Sequence, residues 1–178
     1  MLQKIFKAYD VRGIYPEPLN ETDAWQIGYG TARFLLETAS KEGRTDSGAR
    51  LVVVGRDMRK SSPSLVRALK DGMIEAGAHV VDVGMVDTPF TYFAVNALNA
   101  AGAVQTTASH NPAQYNGFKV SGAGAKPVGQ DTGLGAIKVI AEGARKGMGP
   151  GGGTEESRDL WSGYRAHLLA LLPKEILD

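Results

Sequence analysis

The sequence predicts an α/β fold, a three-layer α/β/α domain built on a mixed, largely parallel sheet. Short apolar runs rich in β-branched residues alternate with longer amphipathic segments, a pattern typical of a sheet covered by helices on both faces. Glycine or proline bounds most of these segments, as is usual at the ends of strands and helices. With 178 residues, 43% of them hydrophobic, the chain is long enough to bury a core.

Four segments are predicted as strands. The first, 51–54, is continuous, apolar and β-branched and ends at a glycine, as expected of a strand buried on both faces. The second, 79–83, is rich in valine and is bounded by Gly77 and Gly84. The third, 101–107, has a weaker strand propensity because it contains alanine and glycine, and the fourth, 118–120, is short and follows a turn.

Five segments are predicted as helices from their apolar spacing of three and four residues. They are 22–39, 62–76, 89–98, 131–146 and 155–172. Thr22 and Asp23 are candidate caps of the first helix. Pro63 suits the first turn of the second helix, and Gly77 suits its end.

The glycine-rich stretch 147–153, GMGPGGG, has the composition of a linker. We therefore expect a domain at 1–148, a linker at 149–154, and the first helix of a second, incomplete domain at 155–178. The apolar face of that last helix would then lack its partner within this chain.

Composition excludes several function classes. Lysine and arginine number 20 and aspartate and glutamate 19, so the net charge of +1 gives no argument for binding nucleic acid or an anionic membrane. Without cysteine the chain has no disulfide or thiolate metal site, which favours the cytoplasm. No stretch is apolar enough for a signal peptide or a membrane span.

The segment 106–120, TTASHNPAQYNGFKV, is the main candidate for chemistry. It follows a predicted strand, and the loops at the carboxyl ends of strands carry function in α/β domains. Asn111-Pro112 and Asn116-Gly117 are turn signals, which would bring Lys119 back near Ser109.

Two alternatives apply to this segment when it is taken alone. One is an ordinary polar surface loop. The other is a serine hydrolase, which is disfavoured because Ser109 lacks the flanking glycines of a nucleophile elbow. In addition, His110 is a poor base for its own neighbour, because adjacent side chains tend to diverge.

Three blocks of the sequence carry a resemblance to a known family. Residues 107–112, TASHNP, with 115–119, YNGFK, resemble the phosphoserine loop of the α-D-phosphohexomutases. The stretches 7–13, KAYDVRG, and 55–62, GRDMRKSS, are similar to two further motifs of that family, and Gly84 and Thr88-Pro89 also fit. The resemblance covers about residues 5–145 and is strongest to the phosphomannomutase/phosphoglucomutase members.

This resemblance implies a four-domain enzyme that interconverts hexose 1-phosphates and 6-phosphates, of mannose or glucose. The phosphoserine gives its phosphoryl group to the sugar, and the hexose 1,6-bisphosphate formed is the intermediate and activator. The other phosphate then returns to the serine. The partners implied are the phosphosugar and the remaining domains of the same enzyme; the oligomeric state is not readable from the sequence.

The resemblance assigns Ser109 as the phosphoryl carrier. Lys119 and Arg12 suit the neutralisation of phosphate charge, because phosphoryl transfer depends mainly on alignment and electrostatics. His110 suits proton transfer or donation to phosphate. Tyr9 is a candidate substrate contact, and Asn111 a candidate substrate contact or loop organiser. An Asp10–Arg12 structural pair is the alternative for Arg12, and Arg56, Asp57 and Arg59 could form an ion network behind the loop.

The family also implies Mg²⁺, bound through the phosphate on Ser109 and by an aspartate-rich loop that this sequence does not contain. The sugar-recognition and phosphate-binding loops of later domains are missing as well. We therefore expect the chain to be an N-terminal fragment that is inactive alone. The alternatives are a non-catalytic phosphosugar-binding module and a phosphoglucosamine mutase, the latter disfavoured by Phe118 in place of a smaller residue.

Overall fold

A computed structural model describes residues 2–173 as one six-stranded sheet with helices on both faces. The strands are β1 (Val11–Ile14), β2 (Leu51–Arg56), β3 (His79–Met85), β4 (Gly102–Thr106), β5 (Tyr115–Gly122) and β6 (Thr154–Ser157). The helices are α1 (Glu21–Lys41), α2 (Ser62–Glu75), α3 (Thr88–Ala97), α4 (Leu134–Gly143) and α5 (Trp161–Ala170). Short 3₁₀ helices occupy Leu2–Lys4, Ser47–Arg50, Ala123–Ala125 and Gln130–Thr132.

The sheet is mixed, and its order is β1-β5-β4-β2-β3-β6. The strands β4, β2, β3 and β6 run parallel to one another, whereas β5 runs antiparallel to both β4 and β1. The predicted three-layer α/β fold is therefore confirmed. Because β4 and β5 are antiparallel, the loop between them closes at the carboxyl end of the parallel strands, where sites of α/β folds usually lie.

Two apolar cores lie on the two faces of the sheet. Helices α1, α2 and α4 pack on one face, where Val52, Val54 and Phe118 point into the larger core. Helices α3 and α5 cover the other face around Val53 and Phe90. The neighbours Val52, Val53 and Val54 are all fully buried, which explains why β2 is a continuous apolar run rather than an alternating one.

The two strands that the sequence pattern failed to predict, β1 and β6, lie at the two edges of the sheet. Strand β1 has only four residues, VRGI, and all four residues of β6, TEES, are exposed. Strand β6 has no buried face and so no apolar alternation, while β1 is too short, with one buried apolar side chain, Val11, for alternation to be recognised. The prediction of one helix over 155–172 is therefore wrong at its start, because β6 precedes a helix that begins at Trp161.

The prediction of a turn at Asn116-Gly117 is also wrong, since both residues lie inside β5. Asn116 is fully buried, and its Nδ2 donates to the hydroxyls of Ser61 (2.8 Å) and Ser62 (3.0 Å). Gly117 faces β1 so closely that a Cβ there would overlap the carbonyl oxygen of Val11. Buried partners and a close backbone approach thus account for this Asn-Gly pair.

The glycine-rich run packs against the carboxyl end of α2. The backbone N–H of Gly151 donates to the carbonyl of Glu75 at 3.0 Å, and a Cβ on Gly149 or Gly153 would overlap backbone atoms of α2. The division into domains at 148 and 155 stays a prediction, and its residues 174–178 lie outside the described part of the chain. Between residues 2 and 173, every helix is too short or too polar to cross a membrane.

Candidate active site

The loop between β4 and β5 presents Ser109 at the carboxyl end of the sheet. Ser109 and His110 are exposed, whereas the preceding Ala108 is fully buried and anchors the loop. The backbone of Ser109 has a φ of +56°, the left-handed region that a non-glycine residue adopts at some energetic cost. Its N–H donates to the hydroxyl of Thr107 at 2.9 Å.

The loop reverses the chain between Thr107 and Tyr115. The N–H of Asn111 donates to the carbonyl of Ala108 (3.1 Å), and the N–H of Tyr115 donates to that of Pro112 (3.0 Å). The Asn111 side chain also donates to the carbonyl of Ala108, at 2.8 Å. Asn111 is thus engaged within the loop, and its predicted contact with substrate stays a prediction.

Ser109 and His110 approach each other more closely than adjacent side chains are expected to. The Oγ of Ser109 lies 3.4 Å from Nδ1 of His110. The separation is long for an O–H to N hydrogen bond. Within residues 2–173 no carboxylate hydrogen-bonds His110, so the part of the chain described does not build a Ser-His-Asp triad.

Two cations, Arg12 and Lys119, meet on neighbouring strands. Arg12 lies on β1 opposite Gly117, and Lys119 lies two residues farther along β5, so both side chains emerge on the same face. Both reach the carboxylate of Asp10, which pairs with the Arg12 guanidinium and lies 3.4 Å from Nζ of Lys119.

This cluster has a net positive charge, and its two cationic side chains are partly exposed to solvent. Asp10 is nearly buried, while the side chains of Arg12 and Lys119 are 25% and 31% exposed. The Nε of Arg12 has no partner among the described residues although it is buried. Two cations that share one carboxylate leave a net positive charge, which suits an anionic group such as phosphate.

Strand pairing brings this cluster to the same end of the sheet as the serine loop. The N–H of Thr107 donates to the carbonyl of Gly117 at 2.9 Å, and Gly117 is the residue paired with Arg12. Arg12 on β1, Gly117 on β5 and Thr107, just beyond the end of β4, are therefore aligned side by side, with Thr107 two residues before Ser109. Tyr9, before β1, is 83% exposed and free to contact a ligand.

Residues behind the loop were the least predictable part of the site. The side chain of Arg59 donates to backbone carbonyls of the loop and to Asp57. Asp57 in turn accepts from Ser62, which is bonded to Asn116. The ion network suggested behind the loop is present for Asp57 and Arg59. Its link through Asn116 was missed because the Asn-Gly pair indicated a turn.

A shallow depression opens beside Ser109. Its walls are partly apolar, with Met58, Met85 and Trp161 each more than half exposed, and it also contains Asp87 and Gln105. Gln105 is 2% exposed and donates to the carbonyl of Val86 at 2.7 Å. The depression gives Ser109 access to a bulky partner molecule rather than enclosing it.

The described residues do not provide a complete Mg²⁺ site. Between residues 2 and 173 there is no group of three or more histidine, aspartate or glutamate side chains that could hold a metal ion. Mg²⁺ requires near-octahedral oxygen coordination. A phosphate on Ser109 would supply only part of such a set.

Comparison with known proteins identifies relatives over most of the chain. Residues 3–146 match a family model described as phosphoglucomutase/phosphomannomutase, alpha/beta/alpha domain I. A protein of Xanthomonas campestris pv. campestris described as phosphohexose mutases is 40% identical over 172 residues, which are 97% of this chain and 36% of that protein. A phosphomannomutase of Vibrio cholerae is 42% identical over 137 residues, or 77% of this chain and 28% of that protein.

Solved structures agree with these sequence relatives. A phosphoglucomutase/phosphomannomutase family protein from Burkholderia thailandensis aligns with a TM-score of 0.78 and 35% identity, over 96% of this chain and 36% of that chain. A structure from Thermus thermophilus aligns with a TM-score of 0.80 and 32% identity over the same shares. The chain thus spans about a third of the length of these relatives.

Proposed function

This chain belongs to the phosphoglucomutase/phosphomannomutase family, and from that premise we propose that it carries the phosphoserine of a phosphohexomutase. The activity proposed is the interconversion of a hexose 1-phosphate and a hexose 6-phosphate through a 1,6-bisphosphate. The observation that carries the proposal is the exposed Ser109, in a left-handed conformation in the loop after β4, two residues beyond Thr107, whose N–H bonds to the partner of Arg12 in the sheet, Gly117.

In the proposed reaction the phosphoryl group on Ser109 passes to the free hydroxyl of the sugar phosphate. The P–O bond to Ser109 Oγ breaks, a new P–O bond to the sugar oxygen forms, and the sugar hydroxyl gives up its proton. The bisphosphate then turns over in the site, and its other phosphate returns to Ser109. The phosphorylated site is thereby restored with no net consumption of phosphate.

The residues of this chain would act mainly through electrostatics. A phosphoserine carries about −1.5 to −2 charges near neutral pH, and Arg12 and Lys119 supply the opposing charge. Lys119 and His110 are the groups proposed to accept or donate the proton that moves with the phosphoryl group. Tyr9 and Asn111 are proposed as contacts to the sugar or its phosphate.

We also propose Mg²⁺ as the cofactor, with the phosphate on Ser109 as one ligand and the remaining ligands from outside the described residues. The rest of the substrate site would likewise come from other parts of the enzyme, because the chain spans only 36% of the length of its relatives. We therefore expect the 178-residue polypeptide alone to have negligible mutase activity.

The preferred sugar is proposed to be mannose, glucose or both. Phe118 had favoured these over glucosamine, but its side chain is fully buried in the core and does not face the site. Phe118 therefore carries no argument about the sugar. Phosphoglucosamine stays an alternative substrate, to be distinguished by assaying all three sugar phosphates.

The test is to locate the phosphate. A mutase-active polypeptide that contains this chain is incubated with a hexose 1,6-bisphosphate, and the phosphorylated residue is identified by mass spectrometry. We expect the phosphate on Ser109. The Ser109→Ala variant should lose about 10³-fold or more in kcat because the nucleophile is removed.

The matched control is Ser40→Ala, an exposed serine on α1 far from the loop in sequence, which should retain normal turnover. Phosphate on another residue with Ser109 unmodified would contradict the proposal. So would a Ser109→Ala variant that loses only a few-fold in turnover. If no polypeptide that contains this chain shows mutase turnover, even at the full length of its relatives, while it still binds the sugar phosphate, a binding module is favoured instead.

A further inference from the structure

Every hydrogen-bond donor of the Arg59 side chain is used within the protein. An arginine side chain has five N–H donors. The Nε of Arg59 donates to Asp57 Oδ2 at 3.0 Å. The other four bonds go to backbone carbonyls of the serine loop: Ser109 (2.9 Å), Asn111 (2.7 Å), Pro112 (2.7 Å) and Tyr115 (3.0 Å).

These four carbonyls include both ends of the loop. Ser109 carries the left-handed backbone, and Tyr115 is the first residue of β5. One rigid, planar group therefore ties the start of the turn to its end. The Arg59 side chain is 11% exposed and has no donor left for a ligand, so it is built to bind the loop and not a phosphate.

Arg59 is itself fixed from behind. Asp57 accepts from the backbone N–H of Arg59 (3.0 Å) and from the hydroxyl of Ser62 (2.6 Å) through Oδ1. Ser62 accepts from the fully buried Asn116 at 3.0 Å. Asn116 lies on β5 beside Gly117, the residue paired with Arg12. A continuous chain of bonds thus joins the serine loop to the strands that carry Arg12 and Lys119.

We propose that Arg59 is a positioning residue for phosphoryl transfer, which holds Ser109 in its left-handed conformation and in register with the Arg12–Lys119 pair. This proposal rests on the proposed function of Ser109 as the phosphoryl carrier. It makes Arg59 act through the loop and never through contact with the sugar. Phosphoryl transfer is sensitive to such placement, because a misplacement of about 1 Å can cost about 10²-fold in rate.

Lysine should not replace arginine here. A lysine has three donors on one nitrogen at the end of a flexible stem, whereas arginine presents five donors in a fixed plane. In Arg59→Lys the positive charge remains, but one nitrogen cannot reach four carbonyls and Asp57 together. The substitution therefore tests, at constant charge, the geometry of the hydrogen bonds from Arg59 to the loop carbonyls.

The experiment compares Arg59→Lys with Arg56→Lys in a mutase-active polypeptide that contains this chain. Arg56 lies three residues earlier, and its side chain makes one hydrogen bond, to the carbonyl of Asp57 at 3.3 Å. Three quantities are measured: kcat, KM for the sugar phosphate, and hydrogen exchange of the Asn111 and Tyr115 amides, whose bonds close the loop.

For Arg59→Lys we expect kcat to fall about 10- to 100-fold, KM to change less than about threefold, and both amides to exchange at least about tenfold faster. Arg56→Lys should resemble the wild type in all three. A kcat within about threefold of wild type for Arg59→Lys overturns the proposal. A raised KM with an unchanged kcat also overturns it, because that result would place Arg59 on the substrate.

Two further results keep the test decisive. If thermal melting shows that Arg59→Lys does not fold, Asp57→Asn is measured in its place, because Asp57 orients the Arg59 side chain. A normal kcat for Asp57→Asn then overturns the proposal. If wild-type Ser109 takes up no phosphate, the proposed function fails. In that case the positioning role of Arg59 fails as well. If Ser109 is phosphorylated but the Arg59 variant leaves the exchange of the Asn111 and Tyr115 amides unchanged, only the positioning role of Arg59 is overturned.

Discussion

At the scale of single residues, the candidate site depends on one carboxylate as much as on its cations. Asp10 is 6% exposed and is the shared partner of Arg12 and Lys119. The negative charge of Asp10 opposes the binding of phosphate. A site that needed only a positive electrostatic potential would therefore have no carboxylate at this position. Its presence indicates that orienting the two cations matters more than adding to their charge.

Asp10→Asn separates these two effects. The substitution raises the local positive charge by one unit, yet it leaves two cations that repel each other and have lost their common anchor. We expect kcat/KM to fall about tenfold or more, measured on a mutase-active polypeptide that contains this chain. Asp71→Asn, which breaks an exposed pair with Arg67 on α2, is the control and should have little effect. An increase in kcat/KM for Asp10→Asn would show that charge dominates over orientation.

The sequence allowed some of these residues to be predicted and not others. Ser109, His110, Arg12 and Lys119 stand in motifs that could be recognised directly. The left-handed backbone at Ser109 could not be predicted, because it depends on carbonyls held from 50 residues away by Arg59. Local pattern contains no information about such a distant partner.

At the scale of elements, the inner and outer strands of the sheet differ in how they could be predicted. The inner strand β2 is buried on both faces and appears as an apolar run, and β3 contains three buried valines on either side of the half-buried Asp82. The edge strands β1 and β6 are specified by backbone pairing with β5 and β3. TEES is exposed throughout, whereas in VRGI Val11 and Gly13 are buried and Arg12 and Ile14 are not, so polar residues are tolerated at both edges.

The pairing of β1 with β5 depends on a glycine. A Cβ at Gly117 would overlap the carbonyl of Val11 and come within 3.1 Å of Cα of Arg12. Gly117→Ala should therefore push β1 away and destabilise the protein by about 1–3 kcal/mol, the usual range for overpacking. Chemical denaturation of the 178-residue polypeptide measures this free energy of unfolding.

The same strand offers a matched control. A Cβ at Gly122, the last residue of β5, would lie 4.0 Å from the nearest atom, the carbonyl oxygen of Lys126, and its backbone φ of −87° accepts any residue. Gly122→Ala should change the free energy of unfolding by about 0.5 kcal/mol or less. Equal effects at the two positions would mean that β1 does not need the close approach at Gly117.

At the scale of the whole molecule, two groups of side-chain contacts add to the backbone pairing of β6 with β3 in attaching the last strand and helix to the sheet. Trp161 and Tyr164 of α5 pack on Phe90, with ring centroids 4.8 and 4.9 Å apart. Burial, together with the nearby charge of Asp87, raises the pKa of Tyr164 above its usual range. The second contact is an ion cluster in which Lys70 of α2 binds the carboxylates of two parallel strands.

That ion cluster joins β6 to the rest of the sheet. Nζ of Lys70 lies 2.5 Å from Asp82 on β3 and 2.6 Å from Glu155 on β6. Burial alone would lower the pKa of Lys70, but hydrogen bonds and attraction from the two carboxylates outweigh it and raise the pKa above 10.5. A pKa raised on folding means that protonated Lys70 stabilises the folded state.

Lys70→Met removes this stabilisation and leaves two carboxylates facing each other. Breaking a fully buried pair costs roughly 3–5 kcal/mol; since the Glu155 side chain is 32% exposed, we expect a smaller loss of about 2 kcal/mol. Hydrogen exchange in 154–170 should rise more than in the inner strands, because β6 loses its only side-chain tie to α2 among the described residues.

The pH dependence provides the sharper measurement. The contribution of Lys70 is fully present below its unfolded pKa, close to 10.5, and is lost as the pH rises through its higher folded-state pKa. The difference in free energy of unfolding between wild type and Lys70→Met should therefore stay constant from about pH 7 to pH 10 and narrow above that. Lys41→Met is the control, since Lys41 pairs with Glu37 on the surface of α1. That exposed pair should contribute about 0.5 kcal/mol or less to the free energy of unfolding. If Lys70→Met lowers the free energy of unfolding no more than Lys41→Met does, the ion cluster does not attach β6. The position of β6 in the sheet would then depend on its backbone pairing and on the aromatic contacts of α5.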